Sequence, residues 1–531
     1  MFLLLPLLLL LLPLLLFLFL KPLSKSKSKS QIHPPSPASL PFIGHLHLLL
    51  PIPYRALHSL SLIHGPIMLL KLGQIPTLIL SSSSSIRSMI KSNDIAFSSR
   101  PNLKVPRQLV YDSKSISFTP YGPYWRQARK LCVLHLLSTK RVLSFRPNRH
   151  SELSIMLSHI SNHSLSGPIN LSEIIYSFTT NILCKVALGR SITEESQRRM
   201  LHDSICQATK LFGSFNVEDY FPSLKWLNMF SSLDSKIAEI FKKLDGFISS
   251  VVEDHLVAGV RDKDDDNADL VDILLSLQRD PLPGEFSPTM DEVKAIILNM
   301  FAAGTTTSYI FLEWAMSELI RNPKIMKKLK EEAKSVSEKS SMVAEEDVNK
   351  MSYLKAVVKE VLRLHPPAPL LVPRETIEDT ELQGYKIPAK TRVIINAWAI
   401  GRDPKFWDAP EEFMPERFVN NELDFRGQDF EFIPFGVGRR ICPGMPFAVA
   451  TIEFALANLV HQFDWEMPNG LSAEDLNMDE AQGLIMHRKH PLVLVAKKPW
   501  PSTTSPPKMP HAITLGNPLR ATSFLASPPI C

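Results

Sequence analysis

One cysteine in this chain sits among residues that could make it a ligand. It lies in Phe435-Gly436-Val437-Gly438-Arg439-Arg440-Ile441-Cys442-Pro443-Gly444, and an apolar helical pattern follows from about Pro446 to Phe463. Backbone N–H groups in a Gly-rich turn at a helix N-terminus stabilise a thiolate through hydrogen bonds and the helix dipole. Arg440 adds positive charge. A lone cysteine is ordinarily a small buried hydrophobe. An anionic sulfur in this loop is suited to hold a metal, and haem iron is one acceptor of a single thiolate. Cys132, Cys184, Cys206 and Cys531 are too few and too scattered for a disulfide framework or a paired zinc site.

A second stretch points the same way. Thr289-Met290-Asp291-Glu292 reads as a capping box, and the helix it opens can run to about Arg321, before Asn322-Pro323. At the standard rise roughly 30 residues span about 45 Å, so this helix must cross the whole domain. At its centre lies Ala302-Ala303-Gly304-Thr305-Thr306-Thr307-Ser308, a run of poor helix formers. A packing kink would explain it. So would something flat and large lying on a thinned, hydroxyl-bearing face. Trp125-Arg126-Gln127-Ala128-Arg129 places an indole N–H and a guanidinium on one face, suited to a carboxylate such as a haem propionate. Glu360 and Arg363 are one helical turn apart, and Pro415-Glu416-Arg417-Phe418 follows later.

The cysteine loop is similar to the haem-binding signature of the cytochrome P450 family, Phe-x-x-Gly-x-Arg-x-Cys-x-Gly, at every fixed position. The resemblance covers about residues 34–498 and is closest in flavour to the plant A-type group, the seventy-one clan of microsomal monooxygenases. It implies a mainly α (α+β) haem domain with small sheets and haem b as cofactor. Cys442 would ligate the iron, within a loop whose Phe435, Gly438 and Gly444 are signature positions. Trp125, Arg129, Arg374 and Arg440 would bind the haem, and Glu360, Arg363 and Arg417 would brace the haem-side fold. Thr307 would be the hydroxyl that hydrogen-bonds iron-bound dioxygen. Thr306 stands where the family pattern has Asp or Glu. A Thr can pass a proton through water but cannot supply one at neutral pH, so coupling of electrons to product should suffer.

Around these residues the chain has 531 residues, with 59 Lys plus Arg against 53 Asp plus Glu. That mild basic excess argues against nucleic acid as a partner. Length alone suggests several domains; the resemblance implies one large one. No GxxxxGK[ST] or GxGxxG stands out. Phe2 to Leu20 is an apolar run, about 28 Å long as a helix, followed by Lys21, Lys25, Lys27 and Lys29. The lysines lie on the wrong side for a cleaved secretory peptide. The expected organisation is a transmembrane signal anchor at 1–20, a basic and Pro-rich hinge at 21–41, the haem domain at 42–498 and a disordered tail at 499–531. By the positive-inside rule the catalytic domain faces the cytosol, and the resemblance places it on the endoplasmic reticulum membrane. Strands are expected at 67–72 and 77–80, and a solvated charged loop at 261–267.

The expected activity is haem-thiolate oxidation of a small hydrophobic plant metabolite, a terpenoid, phenylpropanoid or indolic compound. Dioxygen would be the oxidant and NADPH electrons would arrive from a membrane-bound reductase. Arg126, Lys130, Lys140, Arg141 and Arg439 could form the docking face. Substrate contacts are expected from 102–117, 211–216, 300–303, 370–372 and 483–486. Two rival readings keep the haem: a dehydratase or isomerase that needs no NADPH, and a catalytically silent membrane protein.

Overall fold

Apolar residues recurring every three or four positions make most of this chain helical, and the helices pack around the long one with the thinned centre. The structure, a computed structural model, describes residues 33–498 apart from 164–166, 193, 264, 266, 282–285, 338–339, 482 and 484. The expected anchor, most of the hinge and the tail lie outside the described residues.

Near the N-terminus β1 (Ile67–Leu72) and β2 (Ile75–Leu80) form a hairpin with Leu69 opposite Leu78. Strand β2 starts two residues earlier than expected and takes in Pro76, whose missing N–H the short ladder tolerates. The sheet is completed by β3 (Arg374–Glu375) and β4 (Arg392–Ile395) in the order β1-β2-β4-β3. Strand β3 carries Arg374.

Five helices build the centre. They are α1 (Pro123–Leu131), α2 (Leu171–Leu188), α3 (Met290–Arg321), α4 (Ser352–Leu364) and α5 (Met445–Gln462). The Thr289–Glu292 capping box forms as expected, and α3 runs unbroken to Arg321 through the Gly-Thr-Thr-Thr centre. Packing against α2, α4 and α5 offsets the poor local propensity. Among the described residues α3 is the one helix long and apolar enough to cross a membrane, but most of it is buried in the protein core.

The described residues of the loop 261–267 are exposed or partly so, as expected of a solvated run, and the loop is also tied to its neighbours. Arg261 Nη1 pairs with Asp272 Oδ2 at 3.2 Å, and Arg141 Nη2 donates to the Lys263 carbonyl at 2.9 Å. Arg141 also donates to the carbonyls of Asp265 and Ala268, which ties the loop to its neighbours.

On α4 the commonplace Glu-x-x-Arg spacing becomes a buried network. Arg363 makes a two-pronged pair with Glu360, at 2.7 and 2.8 Å, and both side chains are fully buried. Arg417 Nε reaches Glu360 Oε1 at 3.0 Å, and the Met414 N–H donates to the same oxygen at 2.8 Å. Arg363 also donates to the carbonyls of Gly401 and Pro410. The helix and the coil that leads toward the cysteine loop are thereby tied together. Removing one partner of a buried pair strands the other charge, at about 3–5 kcal/mol. Glu360→Ala should therefore lower the thermal unfolding midpoint sharply, whereas Glu331→Ala, from the exposed Lys327–Glu331 pair, should leave it unchanged. Equal midpoints for the two variants would refute the bracing role.

Candidate functional site

The Gly-rich loop delivers Cys442 to a cavity at the N-terminus of α5. Gly436 and Gly438 take left-handed φ values of 79° and 62°, and a side chain at 438 would collide with Ile90 and Asp94. Cys442 N–H donates to the Phe435 carbonyl at 2.9 Å, closing the turn. Burial raises the thiol pKa; N–H groups of Gly444 and Met445 and the positive Arg129 work against it. A metal cation at the sulfur would remove the proton outright.

The thinned stretch of α3 forms another part of the cavity wall. Ala303 is exposed, and Gly304 and Thr307 partly so, in a helix otherwise largely closed off by its neighbours. Thr307 Oγ1 donates to the Ala303 carbonyl at 2.7 Å, one turn back on the same face. Gly304 has a second purpose that its sequence context did not reveal. A Cβ there would lie 2.9 Å from Leu183 Cδ1, so the glycine lets α2 approach α3 closely.

Four arginines, Arg100, Arg129, Arg374 and Arg440, share this cavity. Arg440 donates to the carbonyls of Ser98 at 2.7 Å and Thr119 at 2.8 Å, and lies 4.1 Å above the Trp125 ring centroid. Arg129 Nη2 donates to the Ile441 carbonyl beside Cys442 at 2.7 Å. Arg374 Nη2 donates to the Val437 carbonyl at 2.7 Å, while its Nη1 has no hydrogen-bond partner and lies 3.7 Å from Asp94 Oδ1. Arg100 Nε donates to Ser117 O at 2.8 Å. Burial and their neighbours' like charge push Arg440 down to about 9 and hold Arg100 well below its usual range. Burial alone brings Arg374 down to about 10.

These features fit haem. The cavity, about 260 Å³, has walls more apolar than polar, presents a single thiol, and brings together buried cations whose partners are mostly neutral carbonyls. Arg374 Nη1, 3.7 Å from Asp94 but without a hydrogen bond, has donor capacity left for an anion such as a propionate.

Several expected residues are placed differently. The Trp125 indole N–H donates to the Ile116 carbonyl at 3.1 Å, so the ring supports Arg440 and leaves no donor for a carboxylate. Gly438 shapes the loop from outside the cavity wall, while Phe435 and Gly444 belong to it. Thr306 is buried on the packed side of α3, because successive helical residues point about 100° apart. Of the expected substrate stretches, Ile116, Ser117, Met300, Ala303, Leu371 and Val372 line the cavity, whereas 211–216 and the described residues of 483–486 do not. Sequence reasoning missed Arg100 and Asn299. Arg100 in Ser98-Ser99-Arg100-Pro101 looks like an ordinary surface charge; Asn299, one turn before Ala303, was the more findable of the two.

Comparison with known proteins agrees with this geometry. The family pattern described as Cytochrome P450 matches residues 34–495. A Prunus mume protein named cytochrome P450 736A117 is 48% identical over 467 residues, 87% of this chain and 90% of that one. Strychnine-11-hydroxylase of Strychnos nux-vomica is 45% identical over 466 residues, 87% and 91% of the two chains. A zebra fish cytochrome P450 solved with progesterone superposes with a TM-score of 0.72 at 24% identity, covering 84% of this chain and 99% of that one, and supports the fold.

Arg100 supplies a direct test of the cationic cradle. Loss of a charge-assisted hydrogen bond costs about 1.5–3 kcal/mol, so Arg100→Leu should weaken haem retention about tenfold. The ratio of Soret to protein absorbance after gel filtration reads this; an unchanged ratio would remove Arg100 from the haem site.

Proposed function

The chain belongs to the cytochrome P450 family of haem-thiolate monooxygenases, and on that premise we propose that it oxidises a small hydrophobic plant secondary metabolite, a terpenoid, phenylpropanoid or indolic compound, with electrons from NADPH. The observation that carries this reading is the meeting of Cys442 and Thr307 in one largely apolar cavity edged by buried arginines. Bound haem supplies the activation of dioxygen. For each dioxygen two electrons and two protons enter; one oxygen atom goes to the substrate and the other leaves as water.

The protein's own residues have separable tasks. Cys442 Sγ supplies the metal ligand, and N–H groups of Gly444 and Met445 steady its negative charge. Arg374, Arg440, Arg100 and Arg129 bind and orient the acidic edge of the cofactor. Thr307 Oγ1, which donates to Ala303 O, can turn its proton toward the cavity when a better acceptor is present. Ile116, Met300, Leu371 and Val372 offer an apolar surface to substrate.

The same reading places the protein in the endoplasmic reticulum membrane through Phe2 to Leu20, with the haem domain toward the cytosol. A membrane-bound flavoprotein reductase delivers the electrons. Exposed Arg126, Lys130, Lys140 and Arg439, with the partly exposed Arg141, supply charge for its docking; Arg439 also pairs with Asp94 and Arg141 with the 261–267 loop. The name of the Strychnos relative supports hydroxylation as the outcome.

Microsomes carrying the protein and a reductase, screened against plant metabolites with and without NADPH, test the activity. Oxygenated product should need NADPH; product without it would favour the dehydratase or isomerase chemistry. Cys442→Ala should abolish the thiolate-type carbon monoxide spectrum and all product. An unaltered Soret band in that variant would overturn the ligand assignment.

A further inference from the structure

The seam between α2 and α3 holds polar groups that the mechanism above leaves unused. Ser172, Tyr176 and Thr180 recur at i, i+4 and i+8 on α2; Thr305, Tyr309 and Glu313 do the same on α3. Each set therefore shares one helix face. The helices run antiparallel here: Ser172 Oγ donates to Glu313 Oε1, the Tyr176 and Tyr309 rings meet edge-on at 5.5 Å, and Leu183 packs at Gly304. All six side chains are buried. Tyr309 OH also donates to Glu313 Oε1, at 3.1 Å. Tyr176 OH, Thr180 Oγ1, Thr305 Oγ1 and Glu313 Oε2 have no hydrogen-bond partner in the protein. The Tyr176 hydroxyl faces Thr180 without closing a bond of good geometry. Ser308 Oγ is likewise unpartnered, and Ser308 belongs to the cavity wall.

A buried polar atom left unpaired costs roughly 1–3 kcal/mol, so a row of them is unstable dry. Ordered water, each molecule making about three hydrogen bonds, satisfies such a row. We propose that the seam holds a file of water molecules joining Glu313 to the cavity at Ser308, and that Glu313 is the proton-holding group of this relay. The proposal rests on the monooxygenase reading, whose reaction consumes protons in the cavity.

Glu313 suits the task. Burial raises its carboxyl to about 7, opposed by the hydroxyls of Ser172 and Tyr309 and by the charge of Arg488. Arg488 is itself held by Ser317 Oγ, the Asn477 carbonyl and the Trp314 ring, and Glu318 on the next turn pairs with His365 at 2.7 Å. Neutral Glu313 gives its proton to the adjacent water; each member of the file takes one proton and passes one on; one emerges at Ser308, leaving a carboxylate. Solvent restores it through the middle of the seam, where Tyr176, opposite Tyr309, meets the edge of the partly exposed His202, itself paired with Asp203. The acid that Thr306 does not provide thus lies two turns further along α3.

Infrared spectra of the haem-loaded protein in water and heavy water test the proposal without turnover. The wild type should show a protonated carboxyl band that Glu313→Gln removes, and the double variant Thr180→Val with Thr305→Val should keep the band but slow its deuterium exchange. In turnover Glu313→Gln should raise peroxide per NADPH on the order of tenfold, with the Soret band unchanged and Glu313→Asp restoring coupling. Wild-type coupling should fall as pH rises through 7, where Glu313 loses its proton, and the Gln variant should lose that dependence. A missing band, a band that survives in Glu313→Gln, unaltered exchange in the valine variant, or full coupling in Glu313→Gln would each overturn the relay. The infrared outcomes leave the monooxygenase reading standing; absence of any oxygenated product in the wild type would sink that reading instead.

Discussion

Four guanidinium groups are held in one buried volume, and their mutual repulsion and desolvation have to be met by something. Main-chain carbonyls of Ser98, Ser117, Thr119, Val437 and Ile441 meet part of it, and these lie in segments far apart in the chain. The arginines therefore stitch together the β1–β2 neighbourhood, the stretch before α1 and the cysteine loop. Neutral carbonyls leave the net charge standing. Asp94, 3.7 Å from Arg374, offsets part of it, and on the proposed reading an anionic cofactor would meet the rest.

The cysteine loop depends on that constraint from the other side. Its sulfur is placed by two glycines with left-handed backbones, by Arg129 bonding the carbonyl one residue away and by the start of α5. The Glu360–Arg363–Arg417 network holds the coil that leads into it, out of contact with the cavity. Such residues position chemistry without taking part in it.

Legibility varied with the range of the interaction. The α3 cap, the β1–β2 hairpin and the cysteine loop rest on neighbours within a few residues, and were readable. The hydrogen bond of Trp125 was not readable, because its N–H partner, the Ile116 carbonyl, is set by loop geometry nine residues away. Arg100 was invisible because a buried and an exposed arginine have the same letter. Thr306 was singled out because it stands at the family's acidic position; that its side chain lies on the buried side of α3 is set by helix rotation, which the motif does not show. The 261–267 run is solvated as its charges imply, but its tether to Arg141, some 120 residues earlier, is a tertiary contact that no local spacing shows.

The family, the thiol at 442, the long capped helix and its hydroxyl-bearing centre could all be read from the residues in order, because these rest on local spacing and on residue types with few alternatives. Tertiary structure decided which side chains face the cavity, which face the α2–α3 seam, and which charges are buried. Those outcomes follow from helix rotation and from contacts hundreds of residues apart, where burial changes what a carboxyl, a guanidinium or a hydroxyl can do.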